Sequence, residues 1–176
     1  NKSFNVQGNN NELQIIGKAD GSFPLLETFV DMFSGIKVYE VGKGTPPQTV
    51  TIRNAKPFTS NKKEDSGWSP FFDGKHVNRY QLLWKGNNWI NYGRWLAAPR
   101  IPENFKDEKI LIRKITGKTL IATYIPYTSY CNTLLFVLKL MPGKAAITYK
   151  SLLGILNSNF IGWYFKKKFQ ISDEDT

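Results

Sequence analysis

Residues 109–172 contain neither Asp nor Glu, yet within that window lie three apolar runs of strand length, at 109–115, 120–124 and 134–140. Two shorter runs of the same kind, 80–84 and 89–92, precede them. Their β-branched and aromatic content predicts strands. The Ile115-Thr116-Gly117-Lys118 step predicts a tight hairpin between two of them. Residues 148–169 then place Leu152, Leu153, Leu156, Phe160, Trp163 and Tyr164 on one helical face, with Lys166, Lys167 and Lys168 suited to the negative end of the helix dipole. The chain is expected to be α+β, a mostly antiparallel sheet flanked by an N-terminal and a C-terminal helix.

With 176 residues the chain can build one domain with a real core. Residues 1–34 read as a lead-in segment and first helix. Residues 1–20 are polar and rich in Asn, and the spacing of Leu25, Leu26, Phe29, Val30 and Phe33 predicts a helix over 22–33 capped by Ser22. Residues 36–39 read as a short strand, and 42–70 as a long polar loop carrying Pro46, Pro47 and Pro57. Residues 35–176 form the main unit. The chain opens at Asn1 and ends in Asp173-Glu174-Asp175-Thr176, which reads as a piece of a longer polypeptide.

The formal charge is +10, and its distribution matters more than its total. A second acid-free interval lies between Asp73 and Glu103, and both intervals interleave bases with Trp and Tyr. Such a surface suits a large anionic ligand, most simply nucleic acid. No apolar run is long enough to span a bilayer, so no membrane partner is expected. The single cysteine, Cys131, excludes an internal disulfide and fits a reducing cytoplasm, where it serves as a small core residue.

The groups that carry out chemistry are missing or incomplete. His76 is the only histidine, so neither a zinc site nor a Ser-His-Asp arrangement has its partners. Gly42-Lys43-Gly44-Thr45 lacks the spacing of a phosphate loop. Thr45-Pro46-Pro47-Gln48 resembles the Pro-Pro-aromatic motif that holds a flipped base, but the stacking aromatic is absent. Asp73-Gly74-Lys75 and Asp107-Glu108-Lys109 each match half of a metal-dependent nuclease site, to which Glu64 and Asp65 could contribute in the first case. No catalytic residue, metal ligand or cofactor-binding residue is assigned, and catalysis by this chain alone is not expected.

Five phrases in order carry a family likeness. They are Pro70-Phe71-Phe72-Asp73-Gly74-Lys75-His76-Val77-Asn78-Arg79-Tyr80, Trp89-Ile90-Asn91-Tyr92-Gly93, the 105–116 stretch ending in Arg113-Lys114-Ile115-Thr116, Asn132-Thr133-Leu134, and Leu153-Gly154-Ile155-Leu156-Asn157-Ser158. With these the chain resembles, from about Gly35 to Phe169, the TaqI-like C-terminal specificity domain. That is the target-recognition part of adenine-specific DNA methyltransferases and fused restriction-modification enzymes. The resemblance implies a cytoplasmic domain that docks on double-stranded DNA, with an upstream methyltransferase domain in cis supplying S-adenosylmethionine, and Mg²⁺ if the parent also cleaves.

Site-specific binding needs phosphate clamps for register and polar side chains on base edges for sequence. Arg53, Lys56, Arg79, Arg94, Arg100, Arg113, Lys114 and Lys118 form the natural pool, joined by Lys43, Lys75 and His76. Asn78, Gln48, Asn54 and Tyr80 add candidate base contacts, Asn and Gln being the usual partners of adenine. Trp84, Trp89, Tyr92 and Trp95 are expected in the core. The alternatives are a metal-dependent nuclease built on Asp65, Asp73 and Lys75, which divalent-metal-dependent cleavage would reveal, and an RNA-binding or protein-docking module, which competition between duplex DNA and RNA would reveal.

Overall fold

A computed structural model describes residues 9–115, 119–143 and 147–169. It is α+β, with mostly antiparallel sheets and a helix towards each end. The largest sheet is antiparallel throughout, in the order β1 (Val30–Ser34), β10 (Leu135–Leu140), β7 (Lys109–Arg113), β8 (Ala122–Ile125). A second sheet orders β2 (Thr59–Ser60), β6 (Trp89–Asn91), β3 (Trp68–Phe72) and β9 (Tyr130–Cys131), with β3 and β9 parallel. A small hairpin pairs β4 (Val77–Asn78) with β5 (Gln81–Leu82).

Strand alternation explains the layering. In β7, Ile110 and Ile112 point to one face and Leu111 to the other, as a period of two requires. The first face packs with Val30, Ala122 and Leu138 beneath Leu152, Leu153 and Leu156 of α3 (Tyr149–Leu156). On the second face Leu111, Ile125, Leu135 and Val137 meet Phe71, Phe72, Ile90, Tyr130 and Cys131 of the smaller sheet. The main sheet is therefore covered on both sides, and its strands read as apolar runs without clean alternation.

The expected C-terminal helix is two helices. Asn157 and Ser158 separate α3 from α4 (Asn159–Phe169). Asn157 is fully buried; its Oδ1 accepts from the Ala122 N–H at 3.0 Å and its Nδ2 donates to the Ala122 carbonyl at 2.9 Å. These bonds satisfy the outer edge of β8 at Ala122, just where the buried stripe ends at Leu156; Phe160 beyond the break is 48% exposed. Lys167 and Lys168 of α4 pair with Glu12 and Asp20.

The N-terminal expectations are corrected. The helix is α1 (Asn10–Ser22), not 22–33. Asn9 and Glu12 form a reciprocal capping box, a pattern legible as Asn-x-x-Glu. Phe23 closes that helix, with Pro24 after it, Leu26–Thr28 makes one 3₁₀ turn, and Val30–Ser34 is drawn into register with β10. Five ladder pairs outweigh the helical spacing of the same residues. The 42–70 segment holds α2 (Val50–Ala55), β2 and most of β3. The hairpin turn expected at Thr116, Gly117 and Lys118 lies outside the described residues, though the β7–β8 pairing fits it.

One buried cation escaped the sequence reading. Lys109 is 0% exposed, and its ammonium donates to the carbonyls of Phe105, Asp107 and Tyr127 at 2.8, 2.9 and 2.6 Å. Burial, then the nearby Lys139, pulls its pKa from 10.5 down to about 7. Cys131 close by is fully buried, and its thiol is pushed up to about 12.

These contacts have measurable consequences. Asn157→Ala leaves the buried Ala122 N–H without its acceptor, and should lower unfolding free energy in denaturant melts by about 1–3 kcal/mol. For Lys109, the unfolded state keeps its proton up to about 10.5 while the folded state releases it near 7, so stability should rise with pH across that interval. Lys109→Met should lose that rise, and melts of both proteins between neutral and alkaline pH compare the slopes directly.

Candidate nucleic-acid interface

The first group of candidates gathers around the β4–β5 hairpin. Asp73 caps the 3₁₀ turn Gly74–His76, accepting from the Lys75 N–H, and this leaves Lys75 exposed. His76 is 7% exposed, and its Nδ1 accepts from the Asp73 N–H at 3.0 Å. Burial lowers its pKa, opposed by the Asp73 charge, so the ring is a neutral part of the cap rather than a cation offered to solvent. Asn78, Arg79 and Tyr80 are exposed at the hairpin tip. The tip is fixed from below: the Tyr80 N–H donates to the Ala122 carbonyl at 3.0 Å, and the Arg79 guanidinium donates to the Asn157 carbonyl.

Arg113 ends β7 beside this hairpin, and Lys114 follows it. The Lys114 N–H donates to the Leu134 carbonyl, and Leu134 packs over Gly74. Arg113 is half-buried and Lys114 exposed. The Lys114 amine donates to Ser34 Oγ at 2.9 Å and lies 4.5 Å from the centre of the Phe136 ring. Lys75, Asn78, Arg79, Arg113 and Lys114 thus share one end of the main sheet. Lys118 lies outside the described residues.

The second group sits on two loops locked together. Gly42 and Gly44 adopt φ of +81° and +87°, and a side chain at Gly44 would collide with the Trp95 carbonyl. The Thr45 N–H donates to the Arg94 carbonyl at 2.9 Å. Gln48, expected as a base contact, is instead 2% exposed: its amide nitrogen Nε2 donates to the Val38 and Trp95 carbonyls, and Oε1 accepts from the Glu40 N–H. It is the internal brace of this loop pair. Arg53 and Asn54 are exposed on α2 and touch each other, and exposed Lys56 closes that helix at φ +51°. Phe58, just beyond, stacks on Tyr39 at 5.7 Å. Arg100 is exposed at φ +64°, its carbonyl accepting from Tyr92 Oη.

The segment 34–38 connects the groups. Ser34 touches Lys114, whereas Lys37 pairs with Ala98 between Arg94 and Arg100. Four steps of at most about 3.3 Å keep the ends of that segment within about 13 Å of each other. Among the described residues, ion pairs join Lys37 to Glu40, Lys62 to Glu64, Lys106 to Glu103, Lys167 to Glu12 and Lys168 to Asp20. These pairs use none of the candidate DNA-binding residues. Acidic side chains still lie close by, Asp73 beside Lys75 and Glu40 near enough to Lys43 to feel its charge, but among the described residues none of them forms an ion pair with a candidate residue.

The half-sites for metal chemistry are engaged locally. Glu64 accepts from Ser60 Oγ and pairs with Lys62, Asp65 caps the Gly67 N–H, and Lys109 is caged by carbonyls. Among the described residues no three His, Cys, Asp or Glu side chains gather as a metal centre. Trp84, Tyr92 and Trp95, expected in the core, pack half-buried against it, whereas Trp89 packs edge-on against Trp84 and under Lys63. Trp84, Trp89 and Trp95 donate their indole N–H groups to the carbonyls of Asn88, Gly86 and Asn91, and Tyr92 stacks on Tyr130 at 4.4 Å.

Comparison with known proteins agrees with this architecture. A protein of Methanocaldococcus jannaschii that carries the name of a type II restriction enzyme and methyltransferase is 31% identical over 130 residues, which is 72% of this chain and 11% of that protein. The chain therefore spans about a tenth of that relative's length. The profile of the TaqI-like C-terminal specificity domain matches residues 69–176, from β3 through α4 and beyond. The chain belongs to the family of TaqI-like C-terminal specificity domains.

Proposed function

We propose that this chain binds double-stranded DNA and recognises the target sequence for a restriction-modification methyltransferase, adenine-specific and cytoplasmic, whose methyltransferase domain lies upstream in the same polypeptide. The recognition unit is residues 35–176, with β1 joined to its sheet. The observation that carries this reading is the pair of basic groups outside the ion pairs, displayed on a specificity-domain scaffold.

Lys75, Asn78, Arg79, Arg113 and Lys114 at the sheet end form one clamp, with Lys118 following in sequence. Lys43, Arg53, Lys56, Arg94 and Arg100 on the loops form the other. Phosphate contacts from the flexible lysines fix register, and the Arg and Asn side chains are the ones suited to base edges. The buried His76 and Gln48 hold the scaffold and stand outside the proposed contact surface. S-adenosylmethionine does not fit these residues. The Gly42-Lys43-Gly44 turn is packed on Arg94 and Trp95, and Gln48 fills the space behind it. We therefore assign methyl transfer, and any Mg²⁺-dependent cleavage, to other parts of the parent enzyme.

Binding to a mixed-sequence duplex should be strongly salt-dependent. Neutralising about six phosphates lowers affinity on the order of a thousandfold between low and moderate salt. Replacing Lys43, Lys75 and Lys114 together with Gln should reduce the slope of log affinity against log salt by about 3, since each phosphate contact contributes about 0.9. A flat salt response in the unaltered protein contradicts the proposal.

A further inference from the structure

Resting on the DNA-recognition reading, we infer that Tyr80 is the residue of the hairpin tip that stacks against a base plane of the target. Its backbone is in the left-handed region, φ +63°, within a two-residue turn between Asn78 and Gln81. A bulky aromatic in that region is an outlier, and turns of this kind ordinarily take Gly or Asn there. The strain has no compensation in ring burial, for Tyr80 is 55% exposed. The surroundings nonetheless over-determine the conformation. The Tyr80 N–H is tied to the Ala122 carbonyl, the same carbonyl that accepts from Asn157 Nδ2. Conformational strain imposed in this way and carried by an exposed side chain is the pattern of a site held ready for a ligand.

The neighbouring groups specify the ligand. The Arg79 guanidinium carbon lies 5.9 Å from the ring centre, over the ring, and is itself anchored on the Asn157 carbonyl. Together they make an aromatic and cationic pair on the exposed turn that Asn78 opens. Bases stack on aromatic faces and guanidinium planes, and side chains inserted between base steps favour the steps that unstack most easily. Tyr80 would thereby add sequence preference without a base-edge hydrogen bond, while the lysines around it supply sequence-independent attraction.

The test uses duplexes selected by the unaltered chain from a randomised pool, with a scrambled duplex as reference. Tyr80→Gly relieves the backbone strain, so it should melt at or above the temperature of the unaltered protein. It should nevertheless bind the selected duplex about tenfold more weakly or worse, with little change on the scrambled one. Tyr80→Phe keeps the ring and should bind within about twofold of the unaltered protein. A Tyr80→Gly protein that keeps full affinity for the selected duplex overturns the inference, as does a Tyr80→Phe protein that loses as much as Tyr80→Gly. If the unaltered chain enriches no sequence from the pool, the DNA-recognition reading itself fails, and this inference with it.

Discussion

The two-pronged bond between Asn157 and Ala122 is the contact on which the hairpin half of the candidate surface depends. Strand β8 is an edge, and an unpaired edge exposes N–H and C=O groups that must find partners. The Asn157 side-chain amide mimics a missing strand at one residue. It stands where α3 and its buried stripe end, and presents its own backbone carbonyl to Arg79. The same Ala122 carbonyl also receives the Tyr80 N–H. One buried amide therefore couples the helix layer, the main sheet and the exposed hairpin tip. Because Asn157 is fully buried, losing its partners would leave polar groups with no route to water.

Much of the fold was legible because its signals were local. The strands at 109–115, 120–124 and 134–140 appear close to their expected bounds, since β-branched and apolar runs of that length have few alternatives in a chain this size. The Leu152, Leu153 and Leu156 stripe is buried as its spacing required. Most of the failures involve partners distant in sequence. Residues 30–34 carry helical spacing but pair with 136–140, a ladder that no local pattern announces. The 42–70 segment looked like open loop because its order comes from Gln48, whose carbonyl partners at Val38 and Trp95 lie 10 and 47 residues away. The break at Asn157 was hidden for the same reason: its partner is 35 residues upstream. Asn9 and Glu12 are the exception, a local capping signal that was present and passed over.

The chemistry was legible mainly as a balance of charge, and the structure redistributes that balance. Basic residues counted together in the sequence separate into several classes. Lys109 is buried among carbonyls, Lys167 and Lys168 tie α4 to α1, and the groups around the hairpin and the paired loops stand outside these ion pairs. Net charge alone could not make that division, because it depends on which carboxylates fold alongside which amines. Membership of the specificity-domain family adds a reason for such a surface to exist. In the DNA-binding reading we propose, the exposed lysines are the phosphate contacts, and Arg79, Asn78 and Tyr80, on a braced turn, are the base contacts.

Amide hydrogen exchange with and without bound duplex DNA tests the central claim most directly, because it reports on every segment at once. The account predicts slowed exchange at the hairpin spanning 77–82, at the end of β7, and in the loops at 42–45 and 93–100, with α1 and α4 unchanged. Protection confined to α1 and α4, with the hairpin and the paired loops exchanging as in the free protein, would contradict it.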